Sequence, residues 1–263
     1  MKFGMNLLLW SGEISDDLLV QCESGVASIT GTPEAPGRIG VSACDINCGQ
    51  QAYSAILEAL IEREHSGRGR QIGVSLFDGM AEWMAVPLLH YDYGGRVQGR
   101  VGINHATISP YGAYTCADGE QIVIAIQNER EWQRLCCQVL EDDEFAGDER
   151  FGSNQRRVER RDAVDARIGA VFGALERDEV VARLDAAGIA YGRLNDVAGL
   201  ADHSQLRRVA VDTPSGAAEV VAVAAQSPDR DEPRRRVPAL DEHGQRIREE
   251  FSRQQDEEQA WKP

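Results

Sequence analysis

The sequence predicts an α/β protein with a second, smaller α+β domain, and three observations predict it. Residues 16–100 alternate short apolar runs with helically spaced ones, a strand-helix-strand-helix order that favours a parallel sheet. From Pro110, "PYGAYTCADGEQIVIAIQ" reads as two strands around a turn at Asp118-Gly119, and helices follow it. Hydrophobic residues make up 42% of the 263, enough for a sizeable core and unlike a disordered composition.

The elements follow in order. "MKFGMNLLLW" reads as a strand, and a helix is expected from about Asp16 to Ile29, before the turn-rich "GTPEAPG". Ile39, Val41 and Ala43 alternate like a short strand. From Gln50 the apolar residues Tyr53, Ile56, Leu57, Leu60 and Ile61 have helical spacing, to about Glu64. After the Gly-rich "HSGRGR", "QIGVSLF" reads as a strand. A helix with Asp78 as its N-cap comes next, broken by Pro87. Beyond the hairpin, "NEREWQRLCCQVL" is amphipathic. A longer helix is expected over about Arg157–Leu175, with Val158, Val164, Ile168, Val171, Phe172 and Leu175 on one face. "RDEVVARLDAAG" ends on Gly188 as a C′ glycine, and "IAYGRLN" reads as a strand. Two short strands around Ser215-Gly216, a Pro-rich arm and a charged terminal helix complete the chain. The expected segments are therefore 1–17, 18–100, 101–200 and 201–263.

The net charge of −15 argues against nucleic acid and anionic membranes as partners, since both require basic surfaces. An anionic ligand must then be held by backbone N–H groups or individual arginines. Lys2 and Lys262 are the only lysines, and an acidic, Lys-poor surface suits a high-salt cytoplasm, although a GC-rich genome gives the same bias. No apolar run reaches membrane-spanning length, and the N-terminus lacks a signal-peptide cleavage pattern, so a cytoplasmic location is expected. Cys22, Cys44, Cys48, Cys116, Cys136 and Cys137 include no C-x-x-C pair, and no metal site is expected. The expected state is buried free thiols in a reducing compartment.

One stretch raises a chemical question. In "GVSACDINCGQQAYSAILEAL", Asp45 stands where an extended apolar run turns into a long helix. It can be a helix cap, accepting from free backbone N–H groups. It can equally be a reacting carboxylate, since α/β proteins place reacting groups at strand ends beside helix N-termini. Two further groups remain open on sequence alone. Trp83, Met84, His90, Tyr91 and Tyr93 fit core or interface packing as well as a ligand pocket. Arg234–Arg236 fits a solvated arm or a grip on a ligand phosphate.

"LLVQCESGVASITGTPEAPGRIGVSACDINCGQQAYSAILEALIEREHSGRGRQIGVSLFDGM" resembles the class III CoA-transferases, the CaiB/BaiF family. "GINHATISPYGAYTCADGEQIVIAI", "FGSNQRRVERRD", "LDAAGIAYGRLNDV" and "VDTPSG" continue the likeness in the family's order, from about Leu18 to about Phe251. The resemblance implies a partial Rossmann-like large domain plus a smaller α+β domain of the CaiB/BaiF type. It implies Asp45 as covalent nucleophile, a coenzyme A thioester as substrate with no permanently bound cofactor, and a carboxylic acid, expected to be a short dicarboxylate, as acceptor. The family's mobile Gly-rich loop corresponds to "GRVGINHA", with Gly102, Asn104 and His105 as candidates. A lone His in a loop more often packs than reacts.

The resemblance also implies truncation. Relatives carry a long Rossmann-like N-terminal half ahead of the segment that begins here at Leu18, and that half supplies most of the CoA pocket. Residues 1–17 instead resemble the opening of sugar epimerase/isomerase TIM barrels. A homodimer, or a partner chain covering the exposed face, is then expected. Two alternatives remain. Acyl-CoA racemases of the same fold carry a His upstream where this chain has Ser15-Asp16-Asp17, which counts against racemisation. The other is a catalytically incompetent remnant that binds a full-length relative.

Overall fold

The computed structural model describes residues 16–226 and 235–260. The strand expected in the first ten residues lies outside them. The chain divides into two units, residues 1–194 and 195–263.

The first unit opens with α1 (Asp17–Glu23) and α2 (Val26–Ile29), where the sequence predicts one helix. Gly25, at φ +84°, separates them: this left-handed conformation ends α1 and costs a glycine nothing. The long α3 spans Ala43–Ser66 and ends on Gly67. α4 (Leu76–Trp83) and α5 (Ala85–Gly94) follow. Ser75, and not Asp78, caps α4: its Oγ accepts the Asp78 N–H at 3.2 Å. The helix breaks at Met84, ahead of Pro87, which falls in the first turn of α5, where its missing N–H is tolerated.

The two strands expected near Ile39–Ala43 and Gln71–Phe77 do not form, and neither does the parallel sheet built on them. Among the described residues before Tyr111, the only strand-like pairing is an isolated bridge between Gly31 and Pro36. Apolar alternation marks an extended segment, but an extended segment becomes a strand only beside a partner. The Ile39 N–H goes instead to the Gln21 side chain, at 2.7 Å. The fold remains of mixed α/β class, with its sheet elsewhere.

That sheet lies in the second half of the unit. β1 (Tyr111–Thr115) and β2 (Gln121–Ala125) pair antiparallel, Tyr111 opposite Ala125, around the expected Asp118-Gly119 turn. α6 (Glu129–Arg134), capped by Asn128, runs into a π-helical turn at Leu135–Val139. Next come α7 (Asp143–Gly147), a 3₁₀ turn at Glu149–Phe151, α8 (Asn154–Glu159) and α9 (Arg161–Phe172). The single helix expected over 157–175 is thus divided at Arg160, but its apolar face is as expected: Val164, Ile168 and Phe172 are wholly buried. α10 (Arg177–Ala187) ends at Gly188, and β3 (Tyr191–Arg193) adds antiparallel to β2. Ile122, Ile124 and Ile126 from the sheet join Trp132, Leu135, Val164, Ile168 and Leu184 in one core.

The second unit contains α11 (Val197–Ala201), then β4 (Arg208–Thr213) paired antiparallel with β5 (Gly216–Val221). β6 (Arg235–Arg236) joins the other edge of β4 in parallel. α12 (Gly244–Ala260) closes the described chain and is longer than its charged, Gln-rich sequence suggests.

Candidate active site

Asp45 is the third residue of α3, not its cap. The residue before the helix, Ser42, makes no side-chain cap either. The capping carboxylate comes from α1: Asp17 Oδ1 accepts the Cys44 N–H at 2.8 Å across 27 positions of sequence. Asp17 Oδ2 accepts from Gln21 Nε2 at 2.7 Å, and Gln21 Oε1 accepts the Ile39 N–H. Asp45 itself is exposed, and among the described residues no hydrogen bond or ion pair engages its carboxylate. It stands at the positive end of a 24-residue helix, where a negative charge is favoured.

The neighbouring thiols are poor rivals as nucleophiles. Burial, with the adjacent Asp17 carboxylate, pushes Cys44 up to about 12. Burial raises Cys48 as well, and the charge of Asp45 adds to it. Both side chains face inward onto Leu76 and Met80 and stay protonated at neutral pH. All six cysteines are free; Cys22 and Cys137 are exposed, contrary to the expectation that the thiols are buried.

The loop residues are held by two different partners. Gly102, at φ +63°, donates its N–H to the Gly31 carbonyl at 2.9 Å. Arg100, just before it, donates to the carbonyls of Ser28, Thr32 and Pro33. The other end of the loop belongs to the sheet. Asn104 Oδ1 occupies the space that a Cβ at Gly112 would need. The His105 ring lies 5.2 Å from Tyr111, and its Nδ1 accepts the Thr107 N–H at 3.2 Å. Among the described residues, no hydrogen bond joins Gly102, Asn104 or His105 to Asp45.

The residues that fix this loop were not singled out by sequence reasoning, although they sit in "FGSNQRRVERRD". Asn154 Nδ2 donates to the Thr107 carbonyl, and its Oδ1 accepts the Ser109 N–H. Arg161 Nη2 donates to the carbonyls of His105 and Ile108 at 2.6 and 2.9 Å. Arg157, 1% exposed, donates to the Ser109 and Phe151 carbonyls, pairs with Glu129 at 2.8 Å and stacks on Trp132 at 4.7 Å. An Arg-rich helix start signals such a role only once the facing carbonyls are known.

The aromatic and Met series divides. Met84 and Tyr91 line an apolar cavity of about 410 Å³ with Phe77, Pro87 and Leu88. His90 lines a smaller one of about 120 Å³ with Arg96 and Thr107. Trp83 and Tyr93 are exposed. Asp45 lines neither cavity. In the second unit, Arg236 pairs with Glu242 at 2.9 Å, while Arg234 lies outside the described residues. No group of three or more His, Cys, Asp or Glu among the described residues is placed to hold a metal ion.

With this geometry in place, residues 3–244 match CoA-transferase family III. The chain belongs to that family. The match takes in most of the opening segment that the sequence reading set apart as resembling sugar epimerases and isomerases. An acetyl-CoA:oxalate CoA-transferase of Acetobacter aceti is 32% identical over 90% of this chain and 61% of its own length. A succinate–glutarate CoA-transferase of Agrobacterium fabrum is 32% identical over 69% of this chain and 45% of its own. Among solved structures, a CaiB/BaiF family protein from Brucella suis superposes with a TM-score of 0.74 at 31% identity, covering 94% of this chain and 66% of that one. The family III chain thus spans about half the length of the curated relatives it matches.

Proposed function

We propose that this family III chain takes part in CoA transfer from an acyl-CoA to a carboxylic acid, with Asp45 as the nucleophile and short dicarboxylates as the acids. The observation that carries the reading is the division of labour at the start of α3: Asp17 caps the helix, and Asp45 is left exposed and unpaired. The relatives support the substrate class, being named for oxalate, succinate, glutarate and mesaconate.

The chemistry follows from a carboxylate as nucleophile. An Asp45 oxygen attacks the thioester carbonyl of the donor, and the C–S bond breaks to give a mixed anhydride and CoA thiolate. The thiolate then attacks the aspartyl carbonyl of that anhydride, forming an aspartyl-CoA thioester and releasing the donor acid. The acceptor carboxylate attacks this thioester, re-forming an anhydride and freeing the thiolate. Finally the thiolate attacks the acceptor's carbonyl, giving the new acyl-CoA and restoring Asp45. No proton is lost or gained over the cycle. Each tetrahedral intermediate needs a nearby donor for its oxyanion. The "GRVGINHA" loop, with Gly102, Asn104 and His105, is the segment proposed to supply it, closing from its anchor at Gly31.

A covering partner accompanies this reading. Ile46, Tyr53, Leu57 and Ile61 form an exposed apolar stripe on α3, and Val86, Leu88, Leu89 and Tyr93 are exposed on α5. Such a patch marks an interaction surface. The partner is a second copy of this chain or a separate chain, and sedimentation of the purified protein distinguishes the two. The setting is the cytoplasm, where six unbridged cysteines stay reduced.

The decisive experiment is intact-mass analysis after incubation with succinyl-CoA and oxalyl-CoA, trapped with hydroxylamine or borohydride. An adduct mapped to Asp45 and absent from Asp45→Asn supports transfer. No adduct with any acyl-CoA, alone or with a covering partner, overturns it.

A further inference from the structure

We propose that Asp17, acting through Gln21 and the Cys44 amide, is the positioning residue for Asp45; this rests on the transferase reading above. Asp17 and Gln21 are four apart on α1 and share one face. Both are withdrawn from solvent, at 9% and 0% exposed. Together they hold both ends of the Ile39–Cys44 segment: Gln21 takes the Ile39 N–H, and Asp17 takes the Cys44 N–H. The Cys44 thiol adds a contact at 3.4 Å to the Asp17 backbone carbonyl. A buried carboxylate that accepts both from its helix neighbour and from a distant segment is a specific device, because either bond lost strands a buried polar group.

The device decides what Asp45 is free to do. The first turn of a helix has unpaired N–H groups that attract the nearest carboxylate. Here the Ala43 N–H goes to the Val41 carbonyl and the Cys44 N–H to Asp17. Asp45 therefore need not fold back onto the helix to cap it. Its carboxylate projects outward, and its attack on a thioester carbonyl starts from a fixed place. Without Asp17, the orphaned Cys44 amide draws Asp45 back toward the helix, and the nucleophile is lost to capping.

The test compares Asp17→Ala, Asp17→Asn and the double variant Asp17→Asn/Gln21→Glu in the full chain. In Asp17→Asn the introduced side chain still accepts from Cys44, but its amide then faces the Gln21 amide, donor against donor. Adding Gln21→Glu restores the two short pairings, because a carboxylate there accepts from both the introduced amide and the Ile39 N–H, and it gives up only the 3.5 Å contact of Gln21 Nε2 with the Ile39 carbonyl. Asp17→Ala is expected to slow acylation of Asp45, per folded molecule, by about tenfold to a hundredfold with the affinity for CoA unchanged. Asp17→Asn falls between, and the double variant recovers. In parallel, amide exchange at Cys44 is expected to rise about tenfold or more in Asp17→Ala while Ile122 and Ile124 keep their protection. Normal acylation per folded molecule in Asp17→Ala, or failure of the double variant to recover, overturns the positioning role. No adduct in the unsubstituted chain overturns the transferase reading, and the positioning role with it. Unchanged Cys44 exchange beside normal wild-type acylation overturns the positioning role alone.

Discussion

Residues 105–194 and residues 16–104 carry apolar side chains in similar patterns but bury them differently. In the former, nineteen buried residues form one cluster among the described residues, with Trp132, Leu135, Ile168 and Phe172 at its centre. In the latter, a cluster of six, Val20, Val26, Cys44, Cys48, Leu76 and Met80, lies beneath the Asp45 turn, while Tyr53, Leu57 and Ile61 face solvent on the same helix. The first is held by a large packed core, with Asn154, Arg157 and Arg161 hydrogen-bonding the chain at its edge. The second is held at a few points by hydrogen bonds, Asp17 to Cys44, Gln21 to Ile39 and Arg100 to Ser28, Thr32 and Pro33. A candidate nucleophile thus stands on the region whose own core is smaller, which is why its positioning contacts matter more than their number suggests.

The largest expected effect tests the well-packed region. Arg157→Ala strands the buried Ser109 and Phe151 carbonyls at about 1–3 kcal/mol each and uncovers Trp132, for a total of about 3–5 kcal/mol to which the half-exposed Glu129 adds little. Phe172→Ala, which removes a wholly buried ring packed 5.8 Å from Tyr114, costs about the same, roughly 3–5 kcal/mol. Urea denaturation measures both. Losses below about 1 kcal/mol, the ordinary value for a point mutant, would break the contrast between the regions.

The next effect sharpens it within the smaller core. A Cβ at position 79 would stand 2.5 Å from Asn47 Nδ2. Asn47 is 5% exposed, and this amide nitrogen has no hydrogen-bond partner. Gly79→Ala is therefore expected to destabilise by about 1–3 kcal/mol, as overpacking does. Asn47→Ala removes the obstruction together with an unsatisfied donor, so the double variant is expected to be more stable than Gly79→Ala alone. A double-mutant cycle checks this, and strict additivity of the two changes would exclude the contact.

A smaller effect separates stability from association. Leu57→Ser, 42% exposed before substitution, is expected to change the isolated chain's stability by no more than about 0.5 kcal/mol. The same change is expected to weaken any self-association seen by sedimentation, since the stripe is the proposed covered surface. A large loss of stability with no change in association would mean that the stripe packs within the chain.

These contrasts also explain what was legible beforehand. The hairpin at Asp118-Gly119, the buried face of Val164, Ile168 and Phe172, and the end of α10 at Gly188 follow from local chemistry, and all are found. Asp45 was legible as a residue of interest because it sits beside a helix start. That it is not the cap was illegible, because the capping carboxylate lies 27 positions away. The spacing of Tyr53, Leu57 and Ile61 predicts a helix face but not what covers it, and the strands expected near Ile39 and Val74 were extended runs without neighbours. The burial of Arg157 was equally hidden, since a buried Arg and a solvated one read alike until Ser109, Phe151 and Glu129 are placed around it.

The smallest expected effect concerns pH, and it too differs between the regions. In the well-packed region, the Arg157 guanidinium hydrogen-bonded to Glu129 holds that carboxyl below its ordinary value of 4.5. Backbone N–H groups and arginines do the same for Asp142, through Phe145 and Arg167, and for Asp118, through Arg177. A carboxyl depressed in the folded state binds its proton more readily when unfolded, so its contribution is present above the unfolded value and lost as the pH falls through the folded one. Among the described residues, the 16–104 region shows one such group, Glu34, lowered chiefly by the Thr32 side chain and fully exposed. Acid is therefore expected to loosen residues 105–194 below about pH 4.5, with Trp132 fluorescence reporting it because the ring lies against Arg157. Glu129 is half-exposed, so water screens the pair and its share is modest. Glu129→Gln is expected to lower stability at neutral pH and to flatten the acid dependence, while Glu34→Gln leaves both unchanged. Equal responses from the two variants would mean that the buried Arg157 adds nothing to what its carboxylate partner contributes.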